Sequence, residues 1–217
     1  MNDESDDTSI FEPAAWDDNY SGDGQIWSGE PNIQLVAEAA DLAPGTALDV
    51  GCGEGGDVIW LARRGWTVTG ADFSAAGLAR AARLAEEAGV AERTDWWQVD
   101  AREFDAGGRS FDLVSTQYLH PPDGGMVDVV GRLAAAVAPG GHLLVVGHAP
   151  RPGSSDLGPH EPNARHRALF LAADLLPGLP ADLEPLVVEQ RPHTHTHTHD
   201  GETVEIDDSV LLARRRT

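Results

Sequence analysis

Short apolar runs alternate with segments of helical periodicity from residue 31 to residue 148. The runs are typical of buried strands. The segments between them space their apolar residues three and four apart, which is typical of amphipathic helices. The predicted strands are 47–50, 67–71, 95–99, 111–116 and 142–147. The predicted helices are 31–42, 57–64, 75–88 and 126–137.

The end of the chain departs from this alternation. A segment at 149–163 is rich in Pro, Gly and Ser and predicts a loop or lid, and a helix is predicted at 163–175. Two extended segments, 186–199 and 202–213, then flank Asp200-Gly201, a pair that predicts a type I′ β-hairpin. The pattern therefore predicts an α/β fold, with a mainly parallel sheet, helices on both faces and a terminal hairpin.

Alternating His and Thr residues, from His193 to His199, lie in the first of these extended segments. On a strand the four imidazoles would share one face, about 6.6 Å apart, and pairs of imidazoles suit a transition metal. A two-residue turn at Asp200-Gly201 would set them opposite a face that is half apolar, which favours a packed hairpin strand, and no metal is predicted. The residues of that facing strand are Glu202, Val204, Ile206 and Asp208.

Length and charge narrow the class of protein. The 217 residues suit a single domain, 13–217, preceded by an acidic tail at 1–12 that is predicted to be disordered. The net charge is −21, and all 15 basic residues are arginine. Such a surface repels nucleic-acid phosphates and anionic membranes, so neither is predicted as a partner. One cysteine, no signal peptide and no apolar run of membrane-spanning length predict a cytoplasmic protein.

The candidate chemistry begins where the first strand ends, in the sequence ALDVGCGEGG at 47–56. Gly51, Gly53 and Gly56 loosely satisfy the fingerprint G-x-G-x-x-G, which holds a pyrophosphate at a helix N-terminus. A Rossmann-type nucleotide-binding oxidoreductase is therefore one interpretation. Asp49 argues against it, because a carboxylate two residues before the first glycine is poorly placed beside a diphosphate. That carboxylate suits a ligand with a cationic amine and no phosphate, such as S-adenosylmethionine (SAM).

An acid-x-Gly-x-Gly-x-Gly turn after a hydrophobic strand resembles motif I of the class I SAM-dependent methyltransferases. The stretch 48–74, LDVGCGEGGDVIWLARRGWTVTGADFS, is similar to small-molecule members, among them the tellurite-resistance and thiopurine or thiol methyltransferase-like branch. The resemblance covers roughly residues 30–215. It implies a Rossmann-like class I methyltransferase fold, in which a seven-stranded, mainly parallel sheet has an antiparallel last strand. It also implies SAM as the cofactor.

The resemblance assigns cofactor roles to the acids that end successive strands. Asp49 would orient the methionine amino group. Asp72 would bind both ribose hydroxyls, and the alternative for it is a helix N-cap, which Ser74 fills better. Asp100 would accept from the adenine amine while the backbone N–H of Ala101 reaches a ring nitrogen, and the alternative is a solvated loop acid. The predicted cofactor contacts are Asp49, Gly51, Cys52, Gly53, Gly55, Asp72, Phe73, Asp100, Ala101 and Gln117.

Other polar residues of the glycine turn have structural interpretations. Cys52 is small and has no general base nearby in sequence, so it is not predicted to be a nucleophile. Glu54 would shape the turn or cap the helix that follows. Asp57 would cap the same helix.

Candidates for the acceptor side follow the carboxyl ends of the strands, where open α/β sheets bind ligands. Tyr118 would lie near the methyl group. His120 and His148 are the candidate proton acceptors, and a loop histidine in solvent is the alternative for each. Trp27 belongs to an aromatic-rich lid segment at 13–30 and would either line the acceptor site or anchor the segment to the sheet edge.

The segment His120-Pro121-Pro122-Asp123 departs from the Asp/Asn-Pro-Pro-aromatic motif of amino methyltransferases that act on nucleic-acid bases or glutamine, which argues against those substrates. The predicted function is SAM-dependent methyl transfer to a small molecule, by a monomer or homodimer. The acceptor would be a thiol, chalcogenide, amine or hydroxyl. A SAM-binding protein without catalysis is the remaining alternative.

Overall fold

The computed structural model describes five stretches of the chain: 13–22, 24–121, 125–150, 169–196 and 203–217, with 193–196 and 203–205 described by their backbone alone. The predicted tail at 1–12, most of the predicted loop at 149–163 and the predicted turn Asp200-Gly201 lie outside these residues. In the described stretches no helix is long and apolar enough to cross a membrane.

Seven strands of the described residues form one sheet: β1 (Thr46–Val50), β2 (Thr67–Asp72), β3 (Thr94–Gln98), β4 (Phe111–Gln117), β5 (Val137–His148), β6 (Leu183–Thr196) and β7 (Thr203–Arg215). Their order is β3-β2-β1-β4-β5-β7-β6. The pairs from β3 to β5 are parallel, and β7 is antiparallel to β5 and to β6. The predicted mainly parallel sheet with an antiparallel last strand is confirmed.

The helices of the described residues begin within two residues of their predicted starts, except for the first, which lies in the predicted lid segment. Local chemistry explains the start of the fourth, because Ser74 Oγ accepts from the N–H of Gly77 at 3.0 Å, as an N-cap does. The helices are α1 (Pro13–Tyr20), α2 (Ile33–Ala39), α3 (Gly56–Arg63), α4 (Ala75–Glu87) and α5 (Met126–Ala135). Short 3₁₀ helices are Ala91–Arg93 and Ala172–Gly178.

Both faces of the sheet are covered, as the continuous apolar runs predict. Successive residues of β5 point to opposite faces. Leu143 and Val145 join a core that contains α5, whereas Leu144 and Val146 join a core that contains side chains of α2 and α3. The carboxyl ends of the parallel strands therefore form one open edge between the two layers of helices.

The predicted helix at 163–175 is wrong over its described part. Leu171 is extended (φ −89°, ψ 145°), and a 3₁₀ helix begins only at Ala172. Pro177, which has no N–H to donate, lies inside that short helix and limits its length.

Strand β5 also begins earlier than predicted. Val137 already pairs with Phe111, and a bulge separates this pair from the pairing of Leu113 with His142. Gly140 lies within the bulge at φ 80°, a conformation that favours glycine. The residues 139–141, Pro-Gly-Gly, lie between the predicted helix 126–137 and the predicted strand 142–147, and they belong instead to a single long strand that bends at the bulge.

The hairpin of β6 and β7 is confirmed, but its predicted register is wrong. Thr196 pairs with Thr203, and His193 pairs with Ile206 rather than with Asp208. A two-residue turn at Asp200-Gly201 would require a register two residues further along β7. Asp208 instead pairs with Arg191 on β6 and with His148 on β5. The side chains of the His-Thr run lie outside the described residues.

Candidate cofactor and acceptor site

The glycine turn after β1 is fixed by backbone hydrogen bonds to β2. The N–H groups of Gly51 and Cys52 both donate to the carbonyl of Ala71, at 2.8 and 3.1 Å. Gly53 has φ 49°, and a Cβ placed on it would lie 2.7 Å from Tyr20 Oη. Glycine is therefore required there, both for the backbone conformation and for the close approach of the tyrosine.

Two carboxylates face one another where β1 ends and α3 begins, Asp49 buried and Asp57 partly exposed. Asp49 accepts from Ser115 Oγ at 3.0 Å, and Asp57 accepts from the backbone N–H of Asn32 at 2.6 Å. Gln117 lies between them. In the amide orientation that satisfies both acids, its nitrogen donates to Asp49 Oδ1 at 2.7 Å and to Asp57 Oδ2 at 3.2 Å. Asp57 therefore does not cap α3, whose N-cap is Gly55.

The two acids form an electronegative site that lacks a counterion among the described side chains. Burial, followed by the charge of Asp57, raises the pKa of Asp49 well above its usual value. Burial raises the pKa of Asp57 to about 6. A cation placed beside them would relieve this unfavourable burial, because an opposite charge favours the ionised form. The site is thus suited to an ammonium group.

Asp72, at the end of β2, is buried and holds the turn with both carboxylate oxygens. Oδ2 accepts from the N–H of Gly53 and Oδ1 from the N–H of Ser74, each at 2.9 Å. Burial raises the pKa of Asp72. Because each carboxylate oxygen has two acceptor sites, Asp72 keeps acceptor capacity for a ligand hydroxyl. Ser74, as predicted, is the N-cap of α4.

Asp100 follows β3 beside Asp72, and its carboxylate contacts an arginine. Arg102 Nε lies 3.0 Å from both oxygens and Nη2 lies 2.6 Å from Oδ2. This pairing lowers the pKa of Asp100. Phe73 and Ala101 lie on the same edge, where Phe73 accepts from the amide of Gln98 at 3.2 Å. An adenine contact by Asp100 stays a prediction, and it requires sharing the carboxylate with Arg102.

Cys52 is a protonated thiol rather than a nucleophile. Burial raises the pKa of this thiol well above its usual value, and the nearby carboxylates of Asp72 and Asp49 raise it further. A thiolate, the reactive form, is therefore disfavoured.

The segment from α1 to Trp27 packs on the glycine turn. Asp17 Oδ1 accepts from Ser74 Oγ at 2.5 Å and from the N–H of Ala76 at 3.2 Å. Tyr20 is buried, and its hydroxyl accepts from Trp27 Nε1 at 3.1 Å. Trp27 stacks on Trp16 at 6.0 Å between ring centroids, yet 51% of its surface stays exposed. The segment that was predicted to be a lid therefore packs on the glycine turn, and half of the Trp27 surface stays accessible.

A buried ion pair holds this segment in place. Arg80 on α4 donates to Glu54 at 2.6 Å and also to the carbonyls of Tyr20, Gly22 and Gly24. Glu54 in turn accepts from the N–H of Trp27 at 2.9 Å. Glu54 was predicted to shape the turn or to cap α3, but its side chain instead contacts the backbone of Ile26 and Trp27 and the guanidinium of Arg80, a residue that the sequence interpretation missed. The available signal was an acid among glycines with no cation nearby in sequence.

Three of the four predicted acceptor residues form a stack at the carboxyl ends of β4 and β5, and the fourth, Trp27, lies in the lid segment. Tyr118 and His148 stack at 4.3 Å between centroids, and His148 and His120 at 5.6 Å. Phe170 lies 5.6 Å from His120 at the far end. Tyr118 has φ 55°, a left-handed conformation that a bulky residue rarely adopts. Such strain is concentrated at functional sites.

Asp208 on β7 underlies this stack and was missed as a site residue. It is fully buried and accepts from Tyr118 Oη at 3.1 Å and from Gln34 Nε2 at 3.1 Å. His148 Nδ1 lies 3.7 Å from its Oδ1. The signal in the sequence was an acidic pair, Asp207-Asp208, directly before an apolar stretch of a strand.

The known proteins that are similar to this chain include methyltransferases, and the family match includes the glycine turn. Residues 47–141 match a family model described as a methyltransferase domain. The chain is 33% identical to methyltransferase GfsG of Streptomyces halstedii over 134 residues, which are 60% of this chain and 48% of that protein. It is 35% identical to ubiquinone biosynthesis O-methyltransferase of Pseudomonas paraeruginosa over 116 residues, 52% of this chain and 48% of that protein. The chain thus spans about half the length of these curated relatives.

A solved structure extends the comparison to nearly the whole fold. N-methyltransferase NodS from Bradyrhizobium japonicum WM9, in complex with S-adenosyl-L-homocysteine, superposes with a TM-score of 0.66 at 17% identity. The superposition covers 94% of this chain and 98% of NodS. The fold is therefore the Rossmann-like methyltransferase fold. The family match is confined to residues 47–141, which contain the glycine turn and strands β2, β3 and β4.

Proposed function

We propose that this protein transfers the methyl group of SAM to a small-molecule acceptor. The observation that supports this proposal most strongly is the pair of neighbouring carboxylates at the glycine turn, buried Asp49 and partly buried Asp57, both with raised pKa values. SAM brings a cationic amine and no phosphate, which is the charge that this pair requires. A dinucleotide would bring a diphosphate to the same turn, where the two acids would repel it.

The remaining residues suit the other parts of the cofactor. Asp72 retains acceptor capacity for ribose hydroxyls, and Asp100 with the N–H of Ala101 lies on the next strand end for adenine. Tyr20 Oη projects toward Gly53 and closes the turn from the lid side. When bound, SAM supplies a methyl group activated by its sulfonium. The chain contributes orientation and cover, which lower the barrier of an in-line displacement.

Surface charge and the similar proteins both support a small-molecule acceptor. A strongly acidic, lysine-free surface disfavours nucleic acids. One curated relative carries a name that places it in ubiquinone biosynthesis, as an O-methyltransferase. The tellurite or thiol branch remains one prediction among thiol, chalcogenide, amine and hydroxyl acceptors. A cytoplasmic location and a monomeric or homodimeric state belong to the same proposal.

In this proposal four side chains line the acceptor site: Trp27, Tyr118, His120 and His148. The open face of Trp27 would line it on the lid side. Tyr118, with its strained backbone, lies at the end of β4, and the two histidines lie within one stack beside it. Either histidine would accept the proton of an acceptor group.

Transfer itself is tested with methyl-labelled SAM and a panel of phenols, thiols, amines and carboxylic acids. We expect labelled product with at least one class. Asp49→Asn should lower the rate at least tenfold, because the amine of SAM loses its partner, whereas Asp41→Asn, an exposed acid, should match the wild type. SAM binding with no product across the panel would favour the non-catalytic alternative. Product at equal rates in wild type and Asp49→Asn would contradict the assigned cofactor site.

A further inference from the structure

We infer that Asp208 is a positioning residue that holds His148 as the proton acceptor for a methyl acceptor bearing an O–H or N–H group. This inference rests on the proposed function and narrows its substrate class. It assigns a role to a buried acid on β7, a strand that contributes no residue to the predicted site.

The placement of Asp208 is set by the sheet. Asp208 and His148 are paired neighbours on β7 and β5. The carboxylate is fully buried, a costly position for a charge unless it is hydrogen-bonded. Tyr118 Oη donates to it at 3.1 Å and Gln34 Nε2 at 3.1 Å. Burial, followed by the charge of Asp208, raises the pKa of Tyr118, so the tyrosine hydroxyl stays protonated and remains a donor.

The imidazole of His148 lies beside this carboxylate. Its Nδ1 is buried, has no hydrogen-bond partner in the described part of the chain, and lies 3.7 Å from Asp208 Oδ1. A hydrogen bond requires an approach of roughly half an ångström more, and catalytic hydrogen bonds are often long before the ligands bind. Stacking between Tyr118 and His120 keeps the ring in its plane. A proton on Nδ1 would donate to Asp208 once the ring makes that approach.

The opposite nitrogen is then free to accept a proton. The His148 side chain is 29% exposed although Nδ1 is buried, so access to the ring is from the Nε2 edge. With Nδ1–H directed at the carboxylate, the neutral ring carries its lone pair on Nε2. Asp208 also stabilises the imidazolium that forms when Nε2 is protonated.

This geometry serves methyl transfer to an acceptor that loses a proton. The acceptor oxygen or nitrogen forms a bond to the methyl carbon, and the carbon–sulfur bond breaks with its electron pair remaining on sulfur. The proton of the acceptor O–H or N–H moves to His148 Nε2, and its bonding pair stays on the acceptor atom. A thiolate carries no such proton and gains nothing from the arrangement. The Asp208–His148 pair therefore favours hydroxyl or amine acceptors.

The tautomer of His148 tests this arrangement directly, and the measurement needs no methyl-acceptor substrate. In ¹⁵N-labelled wild-type protein at a pH where the ring is neutral, long-range ¹H–¹⁵N spectra should show His148 as the Nδ1–H tautomer, with the signal assigned by its loss in His148→Gln. In Asp208→Asn the new amide can donate to Nδ1, so His148 should change to Nε2–H, the form that free histidine favours. Asp207→Asn, on the adjacent residue, is the matched control and should leave the tautomer unchanged.

An Nε2–H tautomer in the wild type, or the same tautomer in wild type and Asp208→Asn, would overturn the inference. The wild-type spectrum decides the question alone if Asp208→Asn does not fold. Calorimetry separates this result from the proposed function, because SAM affinity in Asp208→Asn should stay within about twofold of the wild type. Failure of the wild type to bind SAM would instead contradict the proposed function and leave the tautomer result intact.

Discussion

Replacing Arg80 by methionine should cost about 3–5 kcal/mol of folding free energy, the range for removing one partner of a buried ion pair. The loss arises because Glu54 would stay buried without its cation. The carbonyls of Tyr20, Gly22 and Gly24 would lose their common donor at the same time. Urea unfolding followed by circular dichroism measures the change.

Arg83→Met is the matched control, on the same helix. Its partner Glu87 lies 3.9 Å away in an exposed i,i+4 pair, which contributes at most about 0.5 kcal/mol. Equal effects of the two substitutions would show that the Arg80–Glu54 pair does not hold the lid segment. The double variant Arg80→Met, Glu54→Gln should recover part of the loss, because no unpaired charge then remains buried.

Asp57→Asn should weaken SAM binding at pH 7 by about 1.5–3 kcal/mol, the scale of a hydrogen bond to a charged group. It should also remove a pH dependence of the wild type. Burial raises the pKa of Asp57 to about 6 in the ligand-free protein, whereas a bound amine favours the ionised acid. Wild-type affinity for SAM should therefore fall as the pH is lowered from 7 to 5.

The stability of the ligand-free protein should depend on pH in the direction opposite to its SAM affinity: it should rise as the pH is lowered. A pKa raised from 3.8 to about 6 in the folded state stabilises the protein below pH 3.8, and this contribution is lost as the pH rises through 6. Ligand-free wild type should thus lose stability relative to Asp57→Asn across that window. Thermal unfolding of both proteins between pH 4 and pH 7 tests the sign.

Calorimetry with 5′-methylthioadenosine provides the control ligand. It keeps the adenosine and the methylthio group but lacks the amino acid, so its affinity should not depend on Asp57 or on pH. The amine of SAM remains protonated up to about pH 7, since α-amino groups titrate near 8. Asp41→Asn, an exposed acid at the end of α2, should bind both ligands as the wild type does. An equal pH dependence for both ligands would contradict an ammonium site at Asp57.

Local patterns in the sequence predicted the parallel sheet because strands β1, β2 and β4 are buried almost throughout, and α4 and α5 are amphipathic. These patterns failed where tertiary packing or turn geometry determines the strand register or the backbone conformation. The register of the hairpin depends on the length of its connection, which the pair Asp200-Gly201 did not determine. Leu171 is extended, although the composition of the predicted helix 163–175 favours a helix.

The candidate site was predictable as far as it follows motif order along the strands. Asp49, Asp72 and Asp100 lie at successive strand ends, as the resemblance implied. The residues that were missed act across long separations: Arg80 reaches Glu54 across 26 positions, and Gln34 reaches Asp208 across 174. A single sequence has no local signal for such pairs. Asp57 was assigned to a helix cap because its contact with Gln117 arises only when two strands are adjacent.

Titration of the purified protein with SAM and, separately, with NAD⁺ and NADP⁺ in a calorimeter tests the central claim most directly. The paired acids at the glycine turn, Asp49 and Asp57, favour a cationic amine and would repel a diphosphate. We therefore expect micromolar or tighter binding of SAM, with no measurable heat from either dinucleotide at the same concentrations. Micromolar binding of NAD⁺ or NADP⁺ together with no binding of SAM would contradict the account and favour an oxidoreductase.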